Sequence, residues 1–360
     1  MNVFERMIRR LDGWQQRHRP AAFTVGVVKK YGDDNGGQLA ASMSHAAFVS
    51  LFPLLLVLVT ILGLVAASDP TLRDQVVSAV TKQFPLIGQD LSRNVRQLHK
   101  SSLIGLIAGL LITLWGTSGL AQTGMYTMAQ IWNIPGPKRP GYLPRLARTG
   151  LFLVVLAIGV LATTGLASLT AFGSHLVVIV VGADALALMV NMGMYVLAFR
   201  VLTPRGVPTW DLVPGAMLAG VAWTILQAGG ALVVGHFLDS GSVYGIFAIV
   251  LSLLAWIYLV VNVTVYAAEV NVVRVRRLWP RSLVQPPLTE ADRAALALQP
   301  LQNQRREEQQ IVVSFTDRAH PVPAPPGTPQ TPADVAPPAR DGPRPEPDLR
   351  AGKRQKRTPL

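Results

Sequence analysis

The chain has 360 residues, half of them apolar, and carries 33 Lys and Arg against 20 Asp and Glu, a formal charge of +13. Cysteine is absent, which excludes a disulfide framework, a thiolate nucleophile and a Cys-ligated metal, and leaves the redox compartment unread. Such a charge invites nucleic-acid binding. The basic residues cluster between long apolar runs, and the Lys and Arg excess of short cytoplasmic loops explains that more simply.

The N-terminal stretch has basic residues but no apolar h-region, so it is not a cleavable signal peptide. The first membrane helix is expected to serve as an uncleaved insertion signal. Phe4, Met7, Ile8, Leu11 and Trp14 recur at helical spacing, with Arg6, Arg9, Arg10 and Arg17 mostly between them. That pattern suits a helix in the membrane interface, arginines on anionic headgroups. It suits equally a helix packed on the protein's own cytoplasmic face. Pro20 is expected to end it. The DDNGG turn at 33–37 resembles a calcium loop but lacks the alternating spacing and closing Glu. It reads as a turn and cap, completing a cytoplasmic amphipathic segment over 1–38.

Residues 39–67 contain no charged side chain, and further apolar runs cover 103–129, 149–172, 176–202, 212–237 and 243–273. Each is long enough to cross a hydrocarbon core that needs ~20 apolar residues in helical form. The fold class is therefore all-α: a polytopic membrane protein with six transmembrane helices over 39–281. Lys and Arg fix the orientation. One face has Lys29, Lys30, Lys138, Arg139, Arg145, Arg148, Arg200, Arg205, Arg274, Arg276, Arg277 and Arg281 besides the N-terminal arginines. The other has Arg73, Lys82, Arg93, Arg96 and Lys100, all in the first connection. Both termini are thus predicted to be cytoplasmic.

The first outer connection, 68–102, carries two amphipathic runs, Leu72–Val76–Val80 and Ile87–Leu91–Val95–Leu98, separated by Pro85. It reads as an outer helical cap of two short helices, either a fixed cover or a gate. Beyond Pro286, Pro-rich segments alternate with mixed charges and apolar periodicity is lost apart from Ile311–Val313. Residues 282–360 are expected to be a disordered cytoplasmic tail.

Three segments together resemble the YihY/virulence factor BrkB family of bacterial inner-membrane proteins. They are SHAAFVSLFPLLLVLVTILG at 44–63, DLVPGAMLAGVAW at 211–223 and YGIFAIVLSLLAWIYLVVNVTVYAAEVN at 244–271. The resemblance covers 30–281. It departs from the family pattern at His45 and Ala46, where tyrosines are common, and at Ala267, where glycine is usual. It implies six membrane helices and an envelope role in the bacterial inner membrane, with transport proposed but no agreed substrate. The partners expected are membrane lipids, with envelope proteins or a second copy of the chain as further candidates.

Members have also been labelled ribonuclease BN. The residues give that label no support, because a zinc nuclease needs clustered His and Asp ligands at fixed spacing. His18, His45, His99, His175, His236 and His320 are scattered over both faces and the bilayer. No enzyme, cofactor or metal is expected, and no nucleic acid.

Ionisable groups inside a bilayer are costly and mark pathways or partners. At a rise of about 1.5 Å per residue, Asp184 lies ~12 Å below the outer surface. Thr60, Thr113, Thr163 or Thr164, and Ser252 are expected at similar depth, with Asn191 and Tyr195 continuing a polar stripe inward. A carboxyl in such a layer can carry a proton or hold a small cation; it can equally be protonated glue between helices. Glu269, near the inner end of the last span, is expected to meet His45 or Arg200 at the cytoplasmic mouth, or else to pair locally with Arg274. Pro53 is expected to kink the first span, with Ser50 re-satisfying part of the backbone freed at Val49. Small residues such as Gly105 and Gly109, Gly159 and Thr163, and Ala216 and Gly220 provide close helix contacts. The leading functional expectation is a transporter or lipid-handling protein; the alternative is a non-transporting envelope scaffold.

Overall fold

The computed structural model describes residues 3–68, 103–172, 177–239 and 245–315. The expected cap over 68–102, the side chains of Thr60, Thr113, Thr163 and Thr164, the Gly105–Gly109 contact and the tail beyond 315 lie outside the described residues. Within them the chain is helical, with no strand.

The N-terminal region forms two helices, where the sequence reading placed one. Helix α1 (Val3–Arg17) stops at His18, whose extended backbone makes it the N-cap of α2 (Arg19–Asp33). Pro20 therefore opens the second helix rather than ending the first, because a proline in the first turn forgoes an N–H that has no helical partner anyway. The DDNGG segment is a tight turn: Asn35 takes a φ of 54°, and its carbonyl receives the N–H groups of Gln38 and Leu39. Asn tolerates that left-handed conformation better than most residues.

Long apolar helices follow: α3 (Gly36–Ser68), α4 (Leu103–Ile131), α5 (Tyr142–Phe172), α6 (Val177–Leu202), α7 (Thr209–Asp239) and α8 (Gly245–Arg276). Four segments, Tyr142–Gly159, Val181–Leu202, Thr209–Gln227 and Val250–Arg276, are long and apolar enough to cross a membrane among the described residues. Their outward faces carry exposed Leu151, Val154, Ile158, Met189, Leu197, Ile225 and Leu259. A water-soluble bundle would not leave such a belt uncovered.

Helix α8 is the hub. It packs against α2, α3, α4 and α7, while α3 pairs with α4, and α6 lies between α5 and α7. Small residues set the approach distances. A side chain at Gly215 would come within 2.0 Å of the Ala267 carbonyl, and one at Gly220 within 2.7 Å of Met192 Cα. Pro214 lies inside α7, and Asn271 of α8 supports the backbone around it, accepting from the Gly215 N–H (2.7 Å) and donating to the Leu212 carbonyl (3.0 Å). Helix α3 remains helical on both sides of Pro53, whose ring faces Gly116 of α4. The Ser50 hydroxyl turns back to the Ala47 carbonyl at 2.7 Å rather than to Val49. A serine hydroxyl in a helix reaches the preceding turn more readily than the following one.

Helices α4 and α8 close the same way. Ile134 N–H reaches the Ala129 carbonyl, and Leu278 N–H the Val273 carbonyl, with Asn133 and Arg277 left-handed at φ 50° and 52°. Both are Schellman-type ends. They place Asn133 beside Asp34 and Leu278 against Gly26 of α2. Past them the chain does not become a free tail at 282. Helix α9 (Glu290–Leu298), with its Thr289/Asp292 capping box, buries Ala291, Asp292 and Ala295. Sequence pattern misjudged this segment because polar partners hold it more than apolar periodicity does.

Candidate functional site

The densest polar assembly lies where the N-terminal end of α3 meets the C-terminal ends of α4 and α8, the basic end of the bundle. Its position is set by α2. Tyr31 stacks on Tyr266 of α8, ring centroids 4.0 Å apart and planes 7° apart, and donates to Asn262 Oδ1 at 2.7 Å. Burial, with Tyr258 and Tyr266 adding to it, pushes the Tyr31 phenol up to about 12, so it remains a donor. Gly26 lets α2 lie flush against Leu278 and Val273. One helical turn beyond Gly26, the Lys30 side chain is driven inward.

Lys30 is almost completely withdrawn from solvent. Its ammonium is hydrogen-bonded to the Asp34 carboxylate, one turn along, donates to the Ile131 carbonyl at 3.2 Å, and stands 3.8 Å from Glu269 Oε2. Asp34 also accepts from Asn133 Nδ2 and Gln302 Nε2, each at 3.3 Å. Burial raises the Asp34 carboxyl above the ordinary carboxylate range, against the pull of the Lys30 ammonium and the hydrogen bond from Asn133. Glu269 is fully buried; its carboxyl has no N–H or hydroxyl donor among the described residues and stands against the Asp34 carboxyl, within reach of a shared proton. Two carboxylates thus share one ammonium, and Asp34 has the closer claim on it. Protonation of Glu269 would neutralise the group and supply an O–H that Asp34 can accept.

A second network lies beside it, and its carboxylates and guanidinium are all engaged. Arg281, also buried, donates to Asp292 Oδ1 at 2.8 Å and to Asp33. The Ser282 N–H reaches Asp292 Oδ2 at 3.0 Å, and Lys29 lies 3.7 Å from Asp292. Asp12 of α1 accepts from the Leu283 N–H at 2.9 Å, while Gln15 donates to Asp12 and to the Arg281 carbonyl. For both aspartates burial works upward, but the hydrogen bonds from Leu283, Gln15 and Gln16 at Asp12, and from Ser282, Arg281 and Thr289 at Asp292, win and lower them. These groups latch α1, α2 and α9 to the segment after α8.

The residues singled out from sequence are distributed differently. Asn191 donates to Thr224 Oγ1 of α7 at 3.1 Å, and Tyr195 lies 3.4 Å from Thr264 Oγ1 of α8. The inner part of the expected stripe therefore ties α6 to its neighbours. Asp184 and Ser252 are exposed positions of α6 and α8.

Glu269 meets neither His45 nor Arg200. His45 is exposed on α3, and Arg200 donates to the nearby Val207 carbonyl at 3.3 Å. Arg274, the local alternative, is turned toward Asp211 at 3.6 Å. Lys30 occupies the place these were expected to fill, because α2 lies between Glu269 and solvent. Lys30, Asp34 and Asn133 escaped notice because the lysine reads as one of a loop pair. Its spacing of four residues from Asp34 was the available signal. The carboxylates of the DDNGG turn are engaged by Arg281 and Lys30. Among the described residues no three His, Asp or Glu side chains converge to hold a metal.

Apolar outward faces, helices of membrane-crossing length and charge concentrated at one end define a polytopic helical membrane protein. Residues 27–288 match the family described as virulence factor BrkB, a span that includes Lys30, Asp34, Glu269 and Arg281, and the chain belongs to that family. It is similar to UPF0761 membrane proteins of Xanthomonas. That of Xanthomonas euvesicatoria pv. vesicatoria is 25% identical over 302 residues, 78% of this chain and 68% of the relative. The one from Xanthomonas axonopodis pv. citri is 25% identical over 300 residues, 77% and 68% of the two chains. No solved structure matches significantly.

Proposed function

We propose that the protein is a six-span transporter or lipid-handling protein of the bacterial inner membrane, both termini cytoplasmic, in which Glu269 gains and loses a proton as the helices move. It is not an enzyme on this reading. One observation carries it: a fully buried carboxyl with no N–H or hydroxyl donor among the described residues, set against a second carboxyl and beside an ammonium committed more closely to that second one. A static structure has no use for an unsatisfied buried charge, which costs stability without bracing anything. A group that must change charge state during a cycle has to be left incompletely satisfied in one of its states. Because α8 contacts α2, α3, α4 and α7, a change at Glu269 reaches most of the basic end directly.

The test is an untargeted lipid and metabolite comparison of cells lacking the protein, complemented with wild type or Glu269→Gln at equal membrane abundance. Glu269→Gln should fail to restore the wild-type composition. Full restoration by Glu269→Gln would sink the proposal. The satisfied latch of Asp12, Arg281 and Asp292 favours the second reading, a scaffold, because it fixes the surface elements to the bundle. A scaffold predicts the reverse: Glu269→Gln works, and Asp12→Ala, which frees α1, does not.

A further inference from the structure

Helix α1 is docked by the wrong face for a helix that belongs to the core. At about 100° per residue, Met7, Leu11 and Trp14 fall within about 60° of one another. All three are more than half exposed, at 52%, 52% and 56%. The buried residues of α1 are polar instead, Asp12 and Gln15, and lie roughly a quarter to a third of a turn to one side. They are held by the Leu283 N–H and the Arg281 carbonyl. On the other side of the apolar stripe, at a similar angle, stand Arg6, Arg10 and Arg17, all exposed. Trp14 stacks on His18, centroids 4.5 Å apart, extending the stripe toward α2.

We propose that α1 is a docking helix for the surface of an anionic bilayer, bolted to the protein by its polar face and presenting Met7, Leu11 and Trp14 to the acyl boundary with Arg6, Arg10 and Arg17 on lipid phosphates. Two observations name the occupant. Charge complementarity is the first: an exposed apolar stripe flanked by arginines matches an interface of negative headgroups above hydrocarbon. Continuity is the second. At the same end of the bundle Trp210 is 82% exposed and Tyr142 77%, the residue types that mark the headgroup level. The apolar side of α1 is exposed at the end of the bundle where the spanning helices carry these headgroup-level residues. This inference is independent of what Glu269 does.

The chain's lack of cysteine makes the test direct. A Leu11→Cys variant of the full chain is spin-labelled and reconstituted in nanodiscs of phosphatidylcholine alone or with phosphatidylglycerol. Accessibility to oxygen and to a water-soluble nickel chelate is then measured, with Glu307→Cys as the exposed reference. With phosphatidylglycerol the Leu11 label should be oxygen-accessible and several-fold less nickel-accessible than the reference. The combined changes Arg6→Gln, Arg10→Gln and Arg17→Gln should return it to water, weakening docking on the order of 100-fold at about 1 kcal/mol per arginine. Equal accessibility in the two lipid compositions would overturn the anionic assignment. A label immobile and shielded from both reagents would mean protein covers the stripe, a second copy of the chain included, and would overturn the lipid assignment.

Discussion

Removing the ammonium and removing the carboxylate farther from it should have opposite consequences. Lys30 Nζ stands 3.8 Å from Glu269 Oε2 and is hydrogen-bonded to Asp34, with all three side chains at most 2% exposed. At an effective dielectric near 20 the longer contact alone corresponds to about 4 kcal/mol of attraction, before desolvation is set against it. Lys30→Met keeps the aliphatic volume but leaves two buried carboxylates facing each other with no cation. Breaking a buried pair in this way costs about 3–5 kcal/mol. In a protein of this size that lowers the melting temperature on the order of 10 °C. Glu269→Gln removes the carboxylate farther from the ammonium and leaves Lys30 with Asp34 and the Ile131 carbonyl. It should melt within a few degrees of wild type or above it.

Thermal unfolding in detergent, followed by intrinsic tryptophan fluorescence, reads both variants on one scale. Lys30→Met melting like wild type would mean the cluster does not hold the basic end together. Glu269→Gln melting as low as Lys30→Met would mean Glu269 is a brace like Asp34, and the argument for a charge left deliberately unsatisfied would fail. In the double variant, Lys30→Met with Glu269→Gln, part of the loss should return. A single carboxylate then remains, with Asn133 and Gln302 to satisfy it.

Acid should act on the two networks in opposite directions. Asp12 and Asp292 are lowered in the folded protein, so the stability they give is present above the ordinary value of 3.8 and is lost as pH falls through their lower folded values. Asp34 is raised, so its contribution falls as pH rises from 3.8 through its folded value. Melting curves against pH should therefore show a shallower acid-side loss in Asp292→Asn and a steeper one in Asp34→Asn; the reverse ordering would refute both assignments. Gly215→Ala should destabilise by about 1–3 kcal/mol, since its new methyl meets the Ala267 carbonyl at 2.0 Å. Gly193→Ala, with nothing within 4 Å, should be neutral or better in the same melt. Asp184→Asn, on an exposed position, should leave both melting and complementation unchanged, and a folded but inactive Asn variant would restore Asp184 as a site.

The helices were legible in sequence because bilayer length and apolar composition are properties of single segments. What lay between segments was not. Asp184 stood out as an ionisable group in an apolar run, yet the hydrophobic pattern of α6 is nearly uniform around its axis, so periodicity could not assign it a buried or an exposed face. Asn191 and Tyr195 share the inner part of that helix and do reach partners on α7 and α8. Glu269 was recognisable for the same reason as Asp184, but its partner was not. Lys30 comes from a helix outside the apolar runs, and the packing of Tyr31 on Tyr266 and Asn262, with the close approach at Gly26, brings that helix against α8. The segment at 282–303 was lost to composition: its anchors are Arg281, Ser282 and Asp292, polar residues that a search for apolar periodicity discards.

Two consecutive aspartates connect the two networks, and this gives the DDNGG turn a role that neither a calcium loop nor a simple cap would have. Asp33 takes the Arg281 guanidinium and Asp34 the Lys30 ammonium. The Asp33 carbonyl accepts from Gln299, and Asp34 Oδ1 from Gln302, so the segment after α9 grips the same turn. Asp33 and Asp34 are adjacent in a tight turn that Asn35 closes at φ 54°, so a backbone displacement of the turn would bear on both ion pairs. Arg281 in turn shares its backbone segment with Ser282 and Leu283, where Asp12 holds α1. The helix with the exposed apolar stripe and the buried carboxylate of α8 are thus joined through one turn, two ion pairs and a short run of backbone.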